Sequence, residues 1–191
     1  SNTMLCLCCM EKHTVSTISI TVQTIFKGET VEYPATYYYC SNAKETFSDE
    51  NMTIANDLAM KNAYRKKMGL LTSDAISGIR SNYKISQSDL CLLLGWGQKT
   101  ITRYEGHQVQ DSAHDTILRK ISDDPEWFLS LLAKAKNVLS AESYQKTRNA
   151  AIIQYEQQHD NYLRKAIHAK YIRYQDNPEY NGNQPLSLDI V

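Results

Sequence analysis

The chain has 191 residues, 42% hydrophobic and 22% charged, which is the balance of an ordinary soluble sequence and excludes a disordered or fibrous one. Lys and Arg number 21 against 21 Asp and Glu, so the formal net charge is zero. That excludes the strongly basic make-up of a general nucleic-acid coat and leaves room for a local basic patch.

The apolar start from Met4 to Met10 is far too short for a membrane span and lacks a signal-peptide layout. Ser1-Asn2, ahead of Met4, reads as an expression scar, and the cytoplasm is the expected location. Three of the five cysteines, Cys6, Cys8 and Cys9, crowd this end; Cys40 and Cys91 are the others. Such a cluster makes no disulfide ladder and in a cytosolic chain points to metal binding. Cys6 and Cys9 form a C-x-x-C, and Cys40 lies across a predicted hairpin. Tetrahedral structural zinc takes four ligands, so these three thiolates leave a gap for His13 or Cys8. The candidate metal ligands are Cys6, Cys9, Cys40 and His13. The alternative is a decayed site whose hairpin stands on its packed tyrosines.

Alternation of Ile18, Ile20 and Val22, then of Val31, Tyr33, Ala35, Tyr37 and Tyr39, predicts a β-hairpin over 14–40 with its turn at Lys27-Gly28-Glu29. Pro34 has no N–H to donate, which predicts an edge or a bulge there. So thin a sheet needs a staple or a neighbour. Ser48-Asp49-Glu50-Asn51 offers cap chemistry for a helix carrying Ile54, Leu58 and Ala59. Its run Lys61, Arg65, Lys66, Lys67 reads as a solvated face, with backbone-phosphate contact as the competing role. Short helices follow. Thr72-Ser73-Asp74, Ser86-Gln87, Asp111-Ser112 and Asp123-Asp124-Pro125 are start signals for four of them, and a further helix begins near Gly97. After Ser140 a long helical stretch carries Tyr144, Ala151, Ile152, Tyr155, Tyr162, Leu163, Ala166, Ile167 and Tyr171 as an apolar stripe. The first expectation is that it packs on the chain's own core, with a second copy or another protein as the alternative.

Within the short helices one constellation stands out. With Gln87 opening a helix, Leu90 and Cys91 face inward, Gly95 ends it, and Ile101 and Tyr104 face inward from the next helix, predicted over Gly97 to Glu105. This is helix-turn-helix spacing: a small residue at Cys91 allows close approach, and glycine takes the left-handed turn that a β-carbon penalises. Outward from the second helix lie Gln98, Lys99, Thr100, Thr102 and Arg103, all able to donate hydrogen bonds and none acidic, as a major-groove reader requires. Gln87, at a helix start, is placed to reach a phosphate. Between Lys61 and Arg103 eight basic residues face only Asp74 and Asp89. Glu105 reads as structural, and Trp96 as a plug over the corner. A phosphate-binding glycine loop would follow a strand, whereas Gly95-Trp96-Gly97 follows a helix. No metalloprotease, Walker or nucleophile-elbow motif appears, so no enzyme is expected.

The stretch "ISQSDLCLLLGWGQKTITRYEGHQVQDSAHDTILRKI" resembles the lambda-repressor/Cro-type helix-turn-helix and, more narrowly, the carboxy-terminal domain of MqsA-type antitoxins. That family joins an amino-terminal zinc-binding domain to a helix-turn-helix ending in an Arg-Tyr-Glu run, here Arg103-Tyr104-Glu105. The family's DNA contacts map onto Lys99 and Arg103, with a different residue type at Lys99. Its second C-x-x-C closes a four-thiolate zinc site, and Ala43 stands here where the last cysteine would fall. The likeness covers about Ser86 to Ile121. The region after Ser140 has no counterpart in the short antitoxins, and relatives with this longer layout look like phage- or mobile-element-associated regulators.

The expected fold is therefore α+β, mainly α. It comprises a β-hairpin domain over 4–48 (degenerate and zinc-ribbon-like), a linking helix over 49–71, a five-helix helix-turn-helix domain over 72–138, a helical extension over 139–176 and an irregular tail over 177–191. The resemblance implies a homodimeric repressor that binds a double-stranded DNA operator, as the antitoxin of a type II toxin–antitoxin system repressing its own operon. A scaffold that neutralises a toxin partner, or a metal-sensing regulator, are the other readings. No membrane role is expected.

Overall fold

Four strands, β1 (Asn2–Leu5), β2 (Lys12–Phe26), β3 (Glu29–Cys40) and β4 (Glu45–Phe47), form one antiparallel sheet in sequential order. The computed structural model describes residues 2–175, so the predicted tail over 177–191 lies outside the described residues. The predicted hairpin is β2–β3, in register from Phe26↔Glu29 to Ser16↔Tyr39. Its turn is tighter than expected. Lys27 and Gly28 alone make it, with φ of 50° and 81°. Positive φ at both central residues is the type I′ signature, whose twist matches that of the strands.

Pro34 sits opposite Thr21, and β4 pairs only with Tyr38 to Cys40, so the outer edge of β3 beside Pro34 has no strand. The helix α1 (Glu50–Lys67) covers that edge. Asn56 imitates a paired strand: its Oδ1 accepts the Thr36 N–H at 2.8 Å and its Nδ2 donates to the Thr36 carbonyl at 2.9 Å. An edge closed in this way cannot recruit another chain. Val31 and Ala35 are buried, and Tyr64 meets Phe26 edge-on at 5.1 Å. The thin sheet has found its neighbour.

The basic run on α1 is only in part a solvated face: Lys66 and Lys67 are exposed, but three of its four residues are engaged within the fold. Lys61 pairs with Asp57 at 2.7 Å, and Lys67 with Glu29 at 3.0 Å and the Thr30 carbonyl at 2.8 Å. Arg65 is fully buried. Its guanidinium donates to the carbonyls of Tyr104 (2.9 Å), Gly106 (3.1 Å) and Gln108 (2.7 Å), to Asn62 Oδ1 (2.9 Å) and to Gln110 Oε1 (3.1 Å). The reason is stoichiometric: a cluster of buried acceptors needs several donors in one plane, and arginine alone supplies five. Gln110 continues to Asp115 at 3.0 Å, and Asp115 accepts from the Leu71 N–H and Arg119. Burial pushes the Asp115 carboxyl up, yet these donors together hold it below its ordinary value.

The helical body follows the predicted caps. α2 (Ser73–Asn82) starts at Thr72, α3 (Gln87–Leu94) at Ser86, α5 (Ser112–Asp123) at Asp111 and α6 (Pro125–Lys134) at Asp124; each cap side chain accepts a backbone N–H of the first turn. Between α3 and α5 lies α4 (Thr100–Tyr104), and the chain closes with α7 (Ala141–Gln175). Ile76, Leu90, Ile101, Leu118, Ile121, Phe128 and Leu132 fill the shared core. Tyr83 packs on Phe128 and donates to the Ile121 carbonyl at 2.7 Å.

Two expectations need correction. α4 begins at Thr100 rather than near Gly97, because Gly97 closes a turn through Thr100 N–H at 2.9 Å and Lys99 offers no side-chain cap. Secondly, most of the stripe on α7 does not reach the chain's own core. Thr147, Ala150 and Ala151 are buried and Tyr144 packs on the core, but every residue over 155–169 is exposed. A straight helix of 35 residues runs about 52 Å.

Candidate metal centre and polar helix face

The two ends of the sheet's long strands make the same loop twice. β1 leads into Cys6, and the loop Cys6–Glu11 closes with the Cys6 N–H on the Glu11 carbonyl at 2.9 Å. β3 ends at Cys40, which pairs with Glu45 across the second loop. Each loop carries a left-handed residue four positions after its first cysteine, Met10 (φ 57°) and Lys44 (φ 55°). In each, backbone N–H groups two and three positions on point at the cysteine sulfur: Cys8 and Cys9 at Cys6, Asn42 and Ala43 at Cys40, the last at 3.3 Å. Ala43 therefore occupies the place that Cys9 occupies in the first loop.

β2 supplies a fourth candidate ligand, His13. The donor atoms of Cys6, Cys9, His13 and Cys40 all lie within 4.8 Å of one another, and the cluster can hold a metal ion. His13 Nδ1 lies 2.9 Å from the Thr14 carbonyl. A carbonyl only accepts, so Nδ1 carries a proton and Nε2 is the nitrogen left for a metal. Nε2 faces the cluster, 3.6 Å from Cys40 Sγ. Tetrahedral zinc with bonds of about 2.3 Å to sulfur and about 2.0 Å to nitrogen has an S···N edge of roughly 3.5 Å. Backbone orientation of the ligating histidine is also what such a site uses. The residues fit zinc.

Two of the cluster's thiols, Cys6 and Cys40, are shifted in opposite directions. Burial by itself pushes the Cys6 thiol up, but the N–H groups of Cys9 and Cys8, with His13 and Cys40, outweigh it and bring it down to about 6. The Ala43 N–H draws the Cys40 thiol down, while burial and the neighbouring sulfurs of Cys6 and Cys9 raise it overall. Cys6 chiefly raises His13, by hydrogen bonding. Cys8, which lies outside the cluster that His13 completes, is pushed up by burial and by Cys6. Asn42, absent from the sequence reading, donates to Cys9 Sγ at 3.7 Å; its only sequence signal is the spacing shared by the two loops.

This symmetry makes a test. His13→Ala is expected to weaken zinc binding by at least ~100-fold, and adding Ala43→Cys to bring affinity back to within ~10-fold by completing a four-thiolate site. Competition against a chromophoric chelator measures both. A double variant no tighter than His13→Ala would mean that position 43 does not face the ion.

The predicted nucleic-acid residues fall into two groups. Gly95 ends α3 in the left-handed conformation (φ 67°), and α4 turns back across it. Gln98, Lys99 and Arg103 are exposed, and Thr100 is half-buried at the start of α4. Among the described residues none of their side chains has an ion pair or hydrogen bond recorded to another side chain. Gln87 and Thr102 are engaged instead: Thr102 Oγ1 donates to Gln87 Oε1 at 2.9 Å, and Gln87 Nε2 donates to Glu105. Glu105 also takes Arg80 in a two-toothed pair at 2.7 and 3.2 Å, so the acid nearest to Arg103 is structural, as read. Trp96 covers the corner, stacked on His114 at 3.9 Å and edge-on to Tyr104. His114 meets Tyr104 Oη at 2.6 Å, and His107 meets Asp57. Of the eight basic residues counted from Lys61 to Arg103, Lys61, Arg65, Lys67 and Arg80 are engaged internally. Lys66, Lys84, Lys99 and Arg103 remain as exposed charge.

No family model matches the chain, and no curated protein matches it either. Among the described residues no helix is long and apolar enough to cross a membrane.

Proposed function

We propose that the chain is a sequence-specific DNA-binding regulator, with α3 and α4 acting as a helix-turn-helix and a zinc-stapled, ribbon-like sheet as its support. One observation carries the reading. Gln98, Lys99 and Arg103 stand exposed around a five-residue helix, and the only acid of that segment is neutralised by Arg80. Donors without a nearby acceptor suit phosphates and base edges. Gln98 and Lys99 reach out from the turn, Thr100 and Arg103 from the helix. Gln87 and Thr102 brace α3 against α4, and so fix the angle at which Arg103 meets a groove. Zinc, held by Cys6, Cys9, His13 and Cys40, supplies a cross-link between the two loops and no reaction chemistry.

A repressor of this kind reads a palindrome with two copies, their reading helices one DNA turn apart. The resemblance to MqsA-type antitoxins supports the narrower form: an antitoxin that represses its own operon and has a toxin partner.

Fluorescence anisotropy on duplex DNA from upstream of its own gene, over a salt series, tests the reading. Lys99→Ala is expected to weaken binding across sequences and to reduce the salt slope by about one. Arg103→Ala is expected to cost about 1–3 kcal/mol on the cognate duplex and far less on a scrambled one. Binding untouched by both substitutions overturns the assignment of this face.

A further inference from the structure

We propose that the projecting part of α7 pairs antiparallel with the same helix of a second copy of the chain. Ile152, Tyr155, His159, Tyr162, Ala166 and Ala169 recur every three or four residues and so share one face, with Leu163 and Ile167 beside it. That face is open: Tyr162 is 69% exposed, Leu163 43% and Ile167 53%. The flank turned towards the body is different and polar. Gln158 donates to the Asp123 carbonyl at 2.7 Å, and Gln154, Gln158, Asn161 and Lys165 line the groove beside Ser122 and Pro125, with Tyr162 at its rim. The stripe meets that groove only at Tyr162.

Charge along the helix selects the partner and its direction. Residues 150–160 contain Glu156 and Asp160 and no lysine or arginine; residues 164–173 contain Arg164, Lys165, Lys170 and Arg173 and no acid. A parallel pair would lay cation on cation and acid on acid. An antiparallel pair crossing between His159 and Tyr162 lays each acidic segment along the partner's basic one, at both ends. The same crossing sets large against small: Tyr155 meets the partner's Ala166, and Ile152 the partner's Ala169. Tyr155 and His159 already lie with their rings nearly parallel, centroids 6.2 Å apart. Unlike charges at the flanks and alternating side-chain size along the seam are what fix register and orientation in paired helices.

This pairing would supply the second copy that a palindrome needs, but it rests on α7 alone. It is tested without DNA, so its failure leaves the DNA reading standing. Sedimentation equilibrium of the full chain with zinc is expected to show a dimer at roughly tens of micromolar, at the weak end of the affinities that protein interfaces span. Tyr155→Asp with Tyr162→Asp is expected to give a monomer with an unchanged melting curve, since neither side chain touches the core. Glu156→Arg with Asp160→Arg is expected to weaken the dimer at least ~10-fold, because basic then faces basic at both ends. Adding Arg164→Glu and Lys165→Glu to that variant is expected to restore it. A wild-type chain that stays monomeric, with its stripe covered by its own last residues or by nothing, overturns the proposal. So does a dimer indifferent to the stripe, or a half-reversal that has no effect, as parallel pairing would give.

Discussion

Cys40→Ser is expected to abolish stoichiometric zinc binding and to unfold the cysteine end of the sheet, while the helical body stays folded. The size of the effect follows from how little else holds that end. Its buried core is Cys6, Val15 and Cys40, with Met4, Cys8, Cys9, Tyr38 and Phe47 only partly covered around it. β1 and β4 are four and three residues long. A bound structural zinc contributes on the order of 10 kcal/mol to a small domain, far above what so few side chains give. Hydrogen exchange makes the outcome local: amides over 2–15 and 38–47 should lose protection in Cys40→Ser, and in the wild type after chelation. Those of α2 to α6 should not. Cys8→Ser, whose sulfur lies outside the cluster, should keep the metal and its protection. Unchanged exchange after chelation would show that the hairpin stands on its tyrosines, and the metal reading would fall.

How much of this was visible beforehand depends on distance along the chain. Local chemistry was legible. Asp49, Thr72, Ser86, Asp111 and Asp124 each stand among residues that announce a helix start, and each caps one. Gly95 is left-handed where a tight turn was required. Cys40 and His13 come together because the hairpin register sets Tyr39 opposite Ser16, and that register was written in the alternation of β2 and β3; Cys6 and Cys9 join them through β1, which pairs Met4 with His13. What escaped depended on contacts across the fold. β1 and β4 are too short to show alternation and exist only because the loops return them to β2 and β3. Amphipathic spacing on α7 says that an apolar face exists, not what covers it. Gly97 looked like a helix start, but no side chain there caps one. Arg65 sits in a basic run, and nothing nearby reveals the carbonyls waiting some forty residues further on.

Arg65→Ala is expected to destabilise the whole chain by at least ~3 kcal/mol, because it strands several buried carbonyl and amide oxygens at once. Arg65→Lys should recover less than half of that loss: an ammonium has three donors on a flexible stem and cannot reach the Tyr104, Gly106 and Gln108 carbonyls together with Asn62 and Gln110. Denaturant midpoints measure both. The consequence passes from stability to function through geometry. Those three carbonyls belong to the end of α4 and the loop after it, while α1, which carries Arg65, is fastened to the sheet through Asn56 and Lys67. Arg65 is thus the rivet between the sheet unit and the proposed reading helix. At a temperature where Arg65→Lys is still folded, its DNA affinity should fall although neither Lys99 nor Arg103 has changed, and the loss should be similar on cognate and scrambled duplexes. A variant with wild-type midpoint and wild-type affinity would mean that water replaces the guanidinium without cost, and the link from α1 to α4 would then carry no load.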